Sequence, residues 1–369
     1  MRDSLRPPTC APPLERANLK HLAEGAEKEV SAEVGSGAPG ALAGLPCPAC
    51  SSPDVRILFE VRDRLNAASS DEYRIVECAR CRLMRLDPCP GTPATLDHPS
   101  NRQEGDSLAD RLERVHRRLA LSDRVHFILR VIEQAGDGGL VVDVSSEGDS
   151  LRRALAEHGL HVIGLNLFTQ AAGAGPKPEG GKAGLSAGRD KPEVCPTVRA
   201  SLLAAPLAPE SCRAIVMLHV LEHLDNPSGF IEAACALLRP GGRLVVLAPN
   251  AGCWQFLLMG ENWSGLDVPR HRIDFRASDL EALLESAGFE VRRRKHFAPF
   301  DNPAALAMSL APNLAPSVRR ARGVLEGPAM KLAKHLLWYG LMAAVLPFTV
   351  LESACRAGST VMIEARKKA

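Results

Sequence analysis

Short apolar runs alternate with amphipathic segments through the middle of this 369-residue chain. The apolar runs that suit strands buried on both faces cover residues 140–144, 161–165, 214–218 and 243–247. The segments with apolar positions at helical spacing cover residues 108–134, 151–157 and 278–288. We expect the first to be a linker helix followed by the first domain helix, and the last to be capped by Ser278 with Glu281 at the capping-box position. A turn is expected at 239–242. Apolar strands that alternate with helices are typical of a parallel sheet covered by helices. The pattern therefore predicts an α/β fold.

Polar side chains follow two of the predicted strands. His219, Glu222 and His223 come directly after the 214–218 run, and Asn250 follows the 243–247 run. Open α/β sheets bind their ligands at the carboxyl ends of the strands. A helical turn after residue 218 would place the first three side chains on one face, because they are spaced i, i+3 and i+4. We expect a ligand site at this edge of the sheet.

The stretch 217–250 reads MLHVLEHLDNP and then, after a helix, LLRPGGRLVVLAPN. It closely resembles the second half of class I S-adenosylmethionine-dependent methyltransferases. The resemblance implies a Rossmann-like α/β sheet, in which residues 289–296 and 360–366 form a final antiparallel pair of strands. It also implies S-adenosylmethionine as the cofactor.

The resemblance further indicates which residues face the cofactor, and these are Asp143, Ser145, Gly148, Asn166 and His219. Of the glycines that the family carries in the first loop, only Gly148 is present. Asn166 stands where the family usually has an acidic residue, so its contact with the ribose would be weaker. Two interpretations stay open: a working methyltransferase, or a relative that has lost catalysis and acts as a binding or scaffold module.

Methyltransferases of the ubiquinone-type O-methylation group, which this chain resembles most, carry an E-x-x-E-H run that in some members holds a divalent metal. Here His219 replaces the first Glu, while Glu222 and His223 match. His223 is therefore a candidate general base or a metal ligand, with a possible divalent metal near Glu222 and His223. The alternative is structural: His223 would cap the strand end and Glu222 would bond to backbone amides.

A second polar cluster lies in the loop after the 243–247 strand. Related methyltransferases with an N-terminal four-cysteine module show a similar W…D.PRH…F run there. Trp263 and Arg270 are the candidate substrate-binding residues, since Arg270 could clamp a carboxylate or phosphate. His271 is a second candidate base. The alternative is loop scaffolding, with Trp263 packed over the core.

Four cysteines near the start of the chain form two C-x-x-C pairs, Cys47 with Cys50 and Cys78 with Cys81. Strand-prone segments at 56–61 and 72–77 separate the pairs. Two such turns supply the four thiolates of a tetrahedral, structural Zn²⁺ site, typical of a zinc ribbon. The other interpretations are chance thiols and a redox dithiol, but a redox dithiol needs a βαβ frame that this segment lacks.

These features divide the chain into successive segments. Residues 1–43 are expected to be a disordered tail, 44–90 the zinc-ribbon module, and 91–135 a linker with the first helix. The methyltransferase-like domain is expected over 136–297, with a flexible insertion at 169–196. A helical cap insert over 298–358 and a final strand and tail over 359–369 complete the chain.

The most apolar stretch of the chain is 336–351, within the cap insert. It contains Pro347 and is shorter than the roughly 20 residues that a spanning helix needs. We expect a pair of helices covering the mouth of the site. Peripheral membrane contact through 336–351 is the alternative, and it would suit a lipid-linked substrate.

Composition narrows the function classes. A formal net charge of +2 gives no electrostatic case for binding nucleic acid, so an RNA methyltransferase is disfavoured. Residues 1–46 lack the apolar core of a secretory signal, and eleven cysteines then suggest a reducing, cytoplasmic location. The expected function is methyl transfer to an oxygen, or as a second choice a carbon, of a small-molecule, saccharide or lipid-linked acceptor. The sequence leaves the oligomeric state open.

Overall fold

The computed structural model describes residues 46–65, 71–89, 106–144, 149–165, 197–198 and 201–368. The predicted tail over 1–43 and the whole of the predicted insertion over 169–196 lie outside these ranges. Three of the expected cofactor residues, Ser145, Gly148 and Asn166, also lie outside the described residues.

A small antiparallel sheet contains the strands of the cysteine module: β1 (Val55–Arg62), β2 (Glu72–Cys78) and β3 (Met84–Asp87). The sequence predicted the first two of these strands and missed β3. The fourth strand of this sheet is β9 (Ile273–Asp274), which pairs with β3. It comes from the loop that follows the predicted 243–247 strand. The module and the methyltransferase-like part therefore share one sheet.

The larger sheet has seven strands, in the spatial order β10-β11-β8-β7-β4-β5-β6. Their bounds are β4 (Leu140–Asp143), β5 (Val162–Leu165), β6 (Thr197–Val198), β7 (Cys212–Leu218), β8 (Leu238–Pro249), β10 (Phe289–Lys295) and β11 (Thr360–Lys367). β11 is antiparallel to both of its neighbours, whereas β4 to β8 pair in parallel. The predicted parallel sheet and its final antiparallel pair are both confirmed.

Helices cover both faces of the larger sheet. α1 (Leu108–Glu133) and α2 (Asp149–Glu157) lie on one face, and α3 (Pro227–Leu237) and α5 (Ala277–Ser286) lie on the other. Successive strand residues point to opposite faces. Val141 of β4 accordingly belongs to the cluster of Phe127, while the next residue, Val142, belongs to the cluster of Ile231. This double burial is why the strands read as continuous apolar runs.

Three element boundaries differ from the prediction. The 108–134 segment is one helix of 26 residues, where a linker helix followed by a first domain helix was expected. α5 begins after Arg276, whose N–H donates to Asp279 at 3.0 Å, so the predicted cap at Ser278 is wrong. β8 begins at Leu238 and thus includes the predicted 239–242 turn.

The insert between β10 and β11 contains α6 (Asp301–Leu310), α7 (Pro316–Ala321) and α8 (Pro328–Ala354). The expected helix pair over 336–351 is wrong, because this run lies within the single 27-residue helix α8. Pro347 is exposed there, so the backbone carbonyl that loses its hydrogen bond can turn toward solvent. By length and composition alone α8 could cross a membrane, and 22% of its apolar window is buried.

Candidate active site

The carboxyl ends of β4 and β7 meet at the centre of the larger sheet, where Asp143 and His219 stand. Asp143 is fully buried, and its Oδ2 lies 3.4 Å from Nη1 of Arg152, a buried residue of α2. Arg152 packs across Gly164 of β5, where a Cβ atom would lie 2.6 Å from the same Nη1. Because Gly164 has no side chain, the ion pair of Asp143 and Arg152 fits beside the strand ends where the cofactor is expected.

His219 has a left-handed backbone, with φ of +52°, at the first position after β7. A non-glycine residue in this region is strained and persists only where surrounding contacts hold it. Its N–H donates to the carbonyl of Leu247 at 2.8 Å, which anchors the turn to β8. The strained turn directs the side chain toward Glu222, where Nδ1–H donates to Oε1 at 3.1 Å.

Glu222 is 1% exposed. Its Oε1 accepts the hydrogen bond from His219, while its Oε2 has no partner among the described residues. Burial alone would raise the pKa of Glu222, but the hydrogen bond from His219 and the charges of His223 and His271 outweigh it and lower the pKa to about 2. A buried carboxylate with a free oxygen is costly unless a cation or a hydrogen-bond donor reaches it.

His223 and His271 come from different elements and meet face to edge, with ring centroids 4.8 Å apart. Nδ1–H of His223 donates to the carbonyl of Arg270 at 2.9 Å, and Nδ1–H of His271 donates to the carbonyl of Gly265 at 2.7 Å. A neutral imidazole that donates from Nδ1 keeps a lone pair on Nε2. In the neutral form each of these two buried rings therefore keeps an Nε2 lone pair as an acceptor.

Burial, together with the charge of His271, lowers the pKa of His223 to about 4. Ligand atoms of Glu222, His223 and His271 all lie within 4.8 Å of one another. We call these three residues the Glu–His–His cluster. The sequence put all three among its candidates but could not show that the loop after β8 returns His271 to the turn after β7.

The loop that carries Trp263 and Arg270 is packed against the cysteine module. Trp263 is 1% exposed, and its indole Nε1 has no hydrogen-bond partner among the described residues. The guanidinium of Arg270 donates to Asp267 at 2.6 Å and lies 3.3 Å from Asp63, which belongs to the module. Both residues line a cavity of about 250 Å³ between this loop, the end of β1 and the insert, whose wall also includes Met308.

Asp274 in β9 is a buried acid that the sequence analysis missed. It is 5% exposed, and its Oδ2 has no partner among the described residues. Burial, with the negative charges of Glu222 and Asp267, raises its pKa well above the ordinary range. Burial and the neighbouring carboxylates therefore favour the protonated form of Asp274, which lies close to the Glu–His–His cluster. No local motif marks it, because its burial depends on the pairing of β9 with β3.

The four module cysteines converge as two C-x-x-C turns. Sγ of Cys47 lies 3.5 Å from Sγ of Cys81, and Sγ of Cys50 lies 3.5 Å from Sγ of Cys78. All four sulfurs are within 4.8 Å of one another. Zn–S bonds of about 2.3 Å in a tetrahedron place the sulfurs about 3.8 Å apart, so the donor set fits Zn²⁺.

The order of the seven strands, with β11 as the antiparallel strand inside the edge, and the polar residues at the carboxyl ends define a class I methyltransferase. A profile of the methyltransferase domain matches residues 112–293. The chain belongs to the S-adenosylmethionine-dependent methyltransferases, and it is an enzyme of that class. The family resemblance, the fold class and the cofactor expected from the sequence are thereby confirmed.

Two relatives show the extent of the similarity. The ubiquinone biosynthesis O-methyltransferase of Xylella fastidiosa (strain M23) is 31% identical over 179 residues, which are 46% of this chain and 69% of that protein. The enzyme of the same name from Aeromonas salmonicida (strain A449) is 26% identical over 184 residues, or 48% of this chain and 74% of that protein.

A solved structure of geranyl diphosphate C-methyltransferase from Streptomyces coelicolor A3(2) aligns with a TM-score of 0.37 and 16% identity. The alignment covers 67% of this chain and 79% of that one. The fold class follows from the strand order and not from this alignment.

Proposed function

We propose that this methyltransferase methylates a hydroxyl oxygen of a small-molecule acceptor positioned at the Glu–His–His cluster. The observation that carries the proposal is the contact of two buried histidines, His223 and His271, whose ring centroids are 4.8 Å apart and whose Nδ1 atoms are each held by a backbone carbonyl. The relatives named as O-methyltransferases support oxygen over carbon as the acceptor atom. Saccharide and lipid-linked acceptors belong to the same proposal.

The chemistry divides between the cofactor and the chain. S-adenosylmethionine supplies an electrophilic methyl group on a sulfonium sulfur. The chain must align the acceptor hydroxyl and receive its proton, and proximity of this kind accounts for a large part of the rate. An Nε2 lone pair of His223 or His271 accepts a hydrogen bond from the hydroxyl and is placed to take the proton.

Cofactor binding is assigned to the edge formed by β4, β5 and β7. Among the described residues, Asp143 and His219 stand there, at the ends of two adjacent parallel strands. Their position fits the cofactor, because such edges are the ligand sites of doubly wound sheets. Ser145, Gly148 and Asn166 belong to the same proposal on the sequence alone.

The acceptor is proposed to enter by the cavity that Trp263 and Arg270 line. Arg270 already pairs with Asp63 and Asp267, so an anionic group on the acceptor would have to displace Asp63. The Nε1–H of Trp263 has no partner among the described residues and can donate a hydrogen bond to an oxygen of the methyl acceptor. On this proposal the cysteine module forms one wall of the acceptor site.

As an alternative to proton transfer to a histidine, the Glu–His–His cluster suits a divalent cation, which would occupy the same Nε2 lone pairs. Glu222 offers its unpaired Oε2, and the two histidines offer Nε2 while their Nδ1–H groups are held by backbone carbonyls, an arrangement typical of metal-bound histidines. Two His and one carboxylate suit divalent transition metals. A cation held there would lower the pKa of an acceptor hydroxyl bound to it.

Zn²⁺ is proposed for the four-cysteine site, in a structural role. Four thiolates complete its coordination, so the site leaves no position open for a substrate. It would hold the two C-x-x-C turns together and thereby support β1, β2 and β3.

The test of function combines binding and turnover. The purified protein is titrated calorimetrically with S-adenosylhomocysteine and assayed for transfer of labelled methyl from S-adenosylmethionine to catechol, other phenols and sugars. We expect saturable cofactor binding, and we expect His223→Ala and His271→Ala to lower methyl transfer by about a hundredfold or more with little change in cofactor affinity.

His158→Ala is the matched control, since His158 is an exposed histidine of the same chain. Wild-type turnover in both cluster variants would place the reaction elsewhere. A folded protein that binds no S-adenosylhomocysteine would overturn the catalytic proposal as a whole and favour a binding role.

Metal content separates the two proposed metal sites. Elemental analysis of the purified protein should give about one zinc ion that Cys47→Ser removes, and a second divalent ion whose retention Glu222→Gln weakens by about tenfold or more. Each variant serves as the control for the other site. A metal content that Glu222→Gln leaves unchanged would exclude the cluster as a metal site, and one that Cys47→Ser leaves unchanged would exclude the cysteines.

A further inference from the structure

The solvent-facing side of α8 carries no polar side chain over four helical turns. Its buried side includes His335, Trp338, Met342, Thr349 and Glu352, which recur at helical spacing. The exposed positions between residues 336 and 351 are all apolar: Leu336, Leu337, Gly340, Ala343, Ala344, Leu346, Pro347, Val350 and Leu351. We call this surface the α8 apolar face. Contiguous exposed apolar surface of this length marks an interaction site.

The neighbouring helix α4 (Trp254–Met259) extends this surface. Trp254 and Phe348 are in ring contact, with centroids 6.2 Å apart, so α4 lies beside the C-terminal half of α8. Leu257 and Leu258 of α4 are 77% and 68% exposed, which is unusually high for two adjacent leucines. The exposed apolar surface therefore includes residues of both α8 and α4.

The inner side of α8 shows that the helix lies against the protein rather than crossing a bilayer alone. Glu352 is fully buried and accepts hydrogen bonds at 2.9 Å from both N and Nε2 of Gln255. His335 is 1% exposed and lies 3.7 Å from Glu113 of α1. Spanning would expose these polar groups to hydrocarbon, whereas contact by the outer side alone leaves them in place.

The charges around the helix favour an anionic surface. Residues 298–359 contain six Lys or Arg and three Asp or Glu. The three acids are enclosed: Glu352 is buried, Asp301 pairs with Arg124, and Glu326 pairs with Arg319 and Lys334. Exposed Arg322 and Arg356 lie before and after α8 in the chain. Arg319, Arg320, Lys331 and Lys334 are in ion pairs, so the positive charge that flanks the apolar helix is that of Arg322 and Arg356.

We propose that the α8 apolar face docks this protein on the surface of an anionic lipid membrane. Leucine side chains enter the boundary between headgroups and acyl chains, and the flanking arginines contact lipid phosphates. A second copy of the chain is a poorer occupant, because an antiparallel pair of α8 helices would bring the basic ends of the two copies together. The proposal does not depend on which acceptor is methylated.

The test is co-sedimentation with vesicles of phosphatidylcholine and phosphatidylglycerol, and with vesicles of phosphatidylcholine alone. The wild type should bind the mixed vesicles more strongly than the neutral ones. The double variant Leu336→Glu with Leu351→Glu should lose about tenfold or more in binding. Leu119→Glu, at an exposed leucine of α1, is the matched control and should bind as the wild type does.

A second measurement needs no variant. Trp254 is half-buried beside α8, whereas Trp263 and Trp338 are buried. Brominated phospholipids should therefore quench part of the tryptophan fluorescence of the wild type. Absence of binding and quenching, or equal binding by the double variant, overturns the proposal. A wild-type dimer in sedimentation velocity that the double variant dissociates, without vesicle binding, would assign the face to self-association instead.

Discussion

Gly265 is the residue on which the shape of the site loop depends. A Cβ atom at this position would lie 2.2 Å from the ring of Trp263, so the indole packs directly over the glycine. The carbonyl of Gly265 accepts the hydrogen bond from Nδ1 of His271 that fixes the tautomer of this histidine. One residue without a side chain thus links the packing of the loop to the chemistry of the site.

Gly265→Ala should displace the indole and with it His271. We expect a loss of about 1–3 kcal/mol in the free energy of unfolding, since the added methyl group overpacks a filled space. Methyl transfer should fall as well, because the Nε2 of His271 moves. The measurements are chemical denaturation and the turnover assay.

Gly340→Ala provides the comparison. Nothing lies within 4 Å of a Cβ at Gly340, which is in the interior of α8, so the variant should be as stable as the wild type or gain about 0.5–1 kcal/mol. Equal stability of the two alanine variants would show that the loop can adapt and that Gly265 has no steric role.

Site residues were predictable where they follow a strand and not where tertiary contacts create them. His219, Glu222 and His223 stand together after an apolar run, so the sheet-edge rule finds them. Arg152 and Asp274 have no such signal. Arg152 reaches Asp143 only because Gly164 has no side chain, and Asp274 is buried only because β9 pairs with β3.

At the scale of elements, periodicity predicted the strands and helices, whereas local hydrogen bonds determined where they begin and end. α5 begins after Arg276 because the carboxylate of Asp279 accepts the N–H of that residue, a contact that Ser278 and Glu281 were expected to make. β3 and β9 were missed because four and two residues are too few to establish a period, and neither strand is a continuous apolar run as the four-residue β4 and β5 are.

The contact between α1 and the insert depends on a buried carboxylate. Glu113 of α1 pairs with Arg320 of α7, and its Oε2 lies 3.7 Å from Nε2 of His335 in α8. Burial alone would raise the pKa of Glu113, but the neighbouring His335 and the hydrogen bond from Arg320 outweigh it and lower the pKa to about 2. The ionised form therefore holds α7 and α8 against α1.

This contact should give a defined pH dependence of stability. A lowered pKa means that the ionised Glu113 contributes fully above the ordinary value of 4.5, and that the contribution is lost as the pH falls toward about 2. Glu113→Gln should cost on the order of 2–3 kcal/mol near neutral pH, and the difference from the wild type should shrink below about pH 4.5.

Thermal unfolding of both proteins from neutral pH to about pH 3 measures this difference. Glu133→Gln, at an exposed position of the same helix, is the control and should follow the wild type throughout. A difference between Glu113→Gln and the wild type that stays constant with pH would show that packing, and not charge, accounts for the loss.

At the scale of the whole molecule, the family resemblance predicted the final antiparallel pair of β10 and β11. It did not predict the spatial order of the seven strands, in which β11 lies between β10 and β8. No sequence pattern indicated that the cysteine module would be more than an appended unit. The pairing of β3 with β9 depends on two residues, Met84 and Arg85, that no pattern distinguishes.

That pairing determines where the chain can be divided. A fragment that begins near residue 106 would lack β3, so β9, which begins two residues after His271, would lose its strand partner. Trp263 and Val268 would lose Ile75, Met84 and Leu86, with which they share one apolar cluster. The foldable unit of this enzyme therefore extends back to the cysteines, and a truncation that looks conservative in sequence would remove part of the catalytic half.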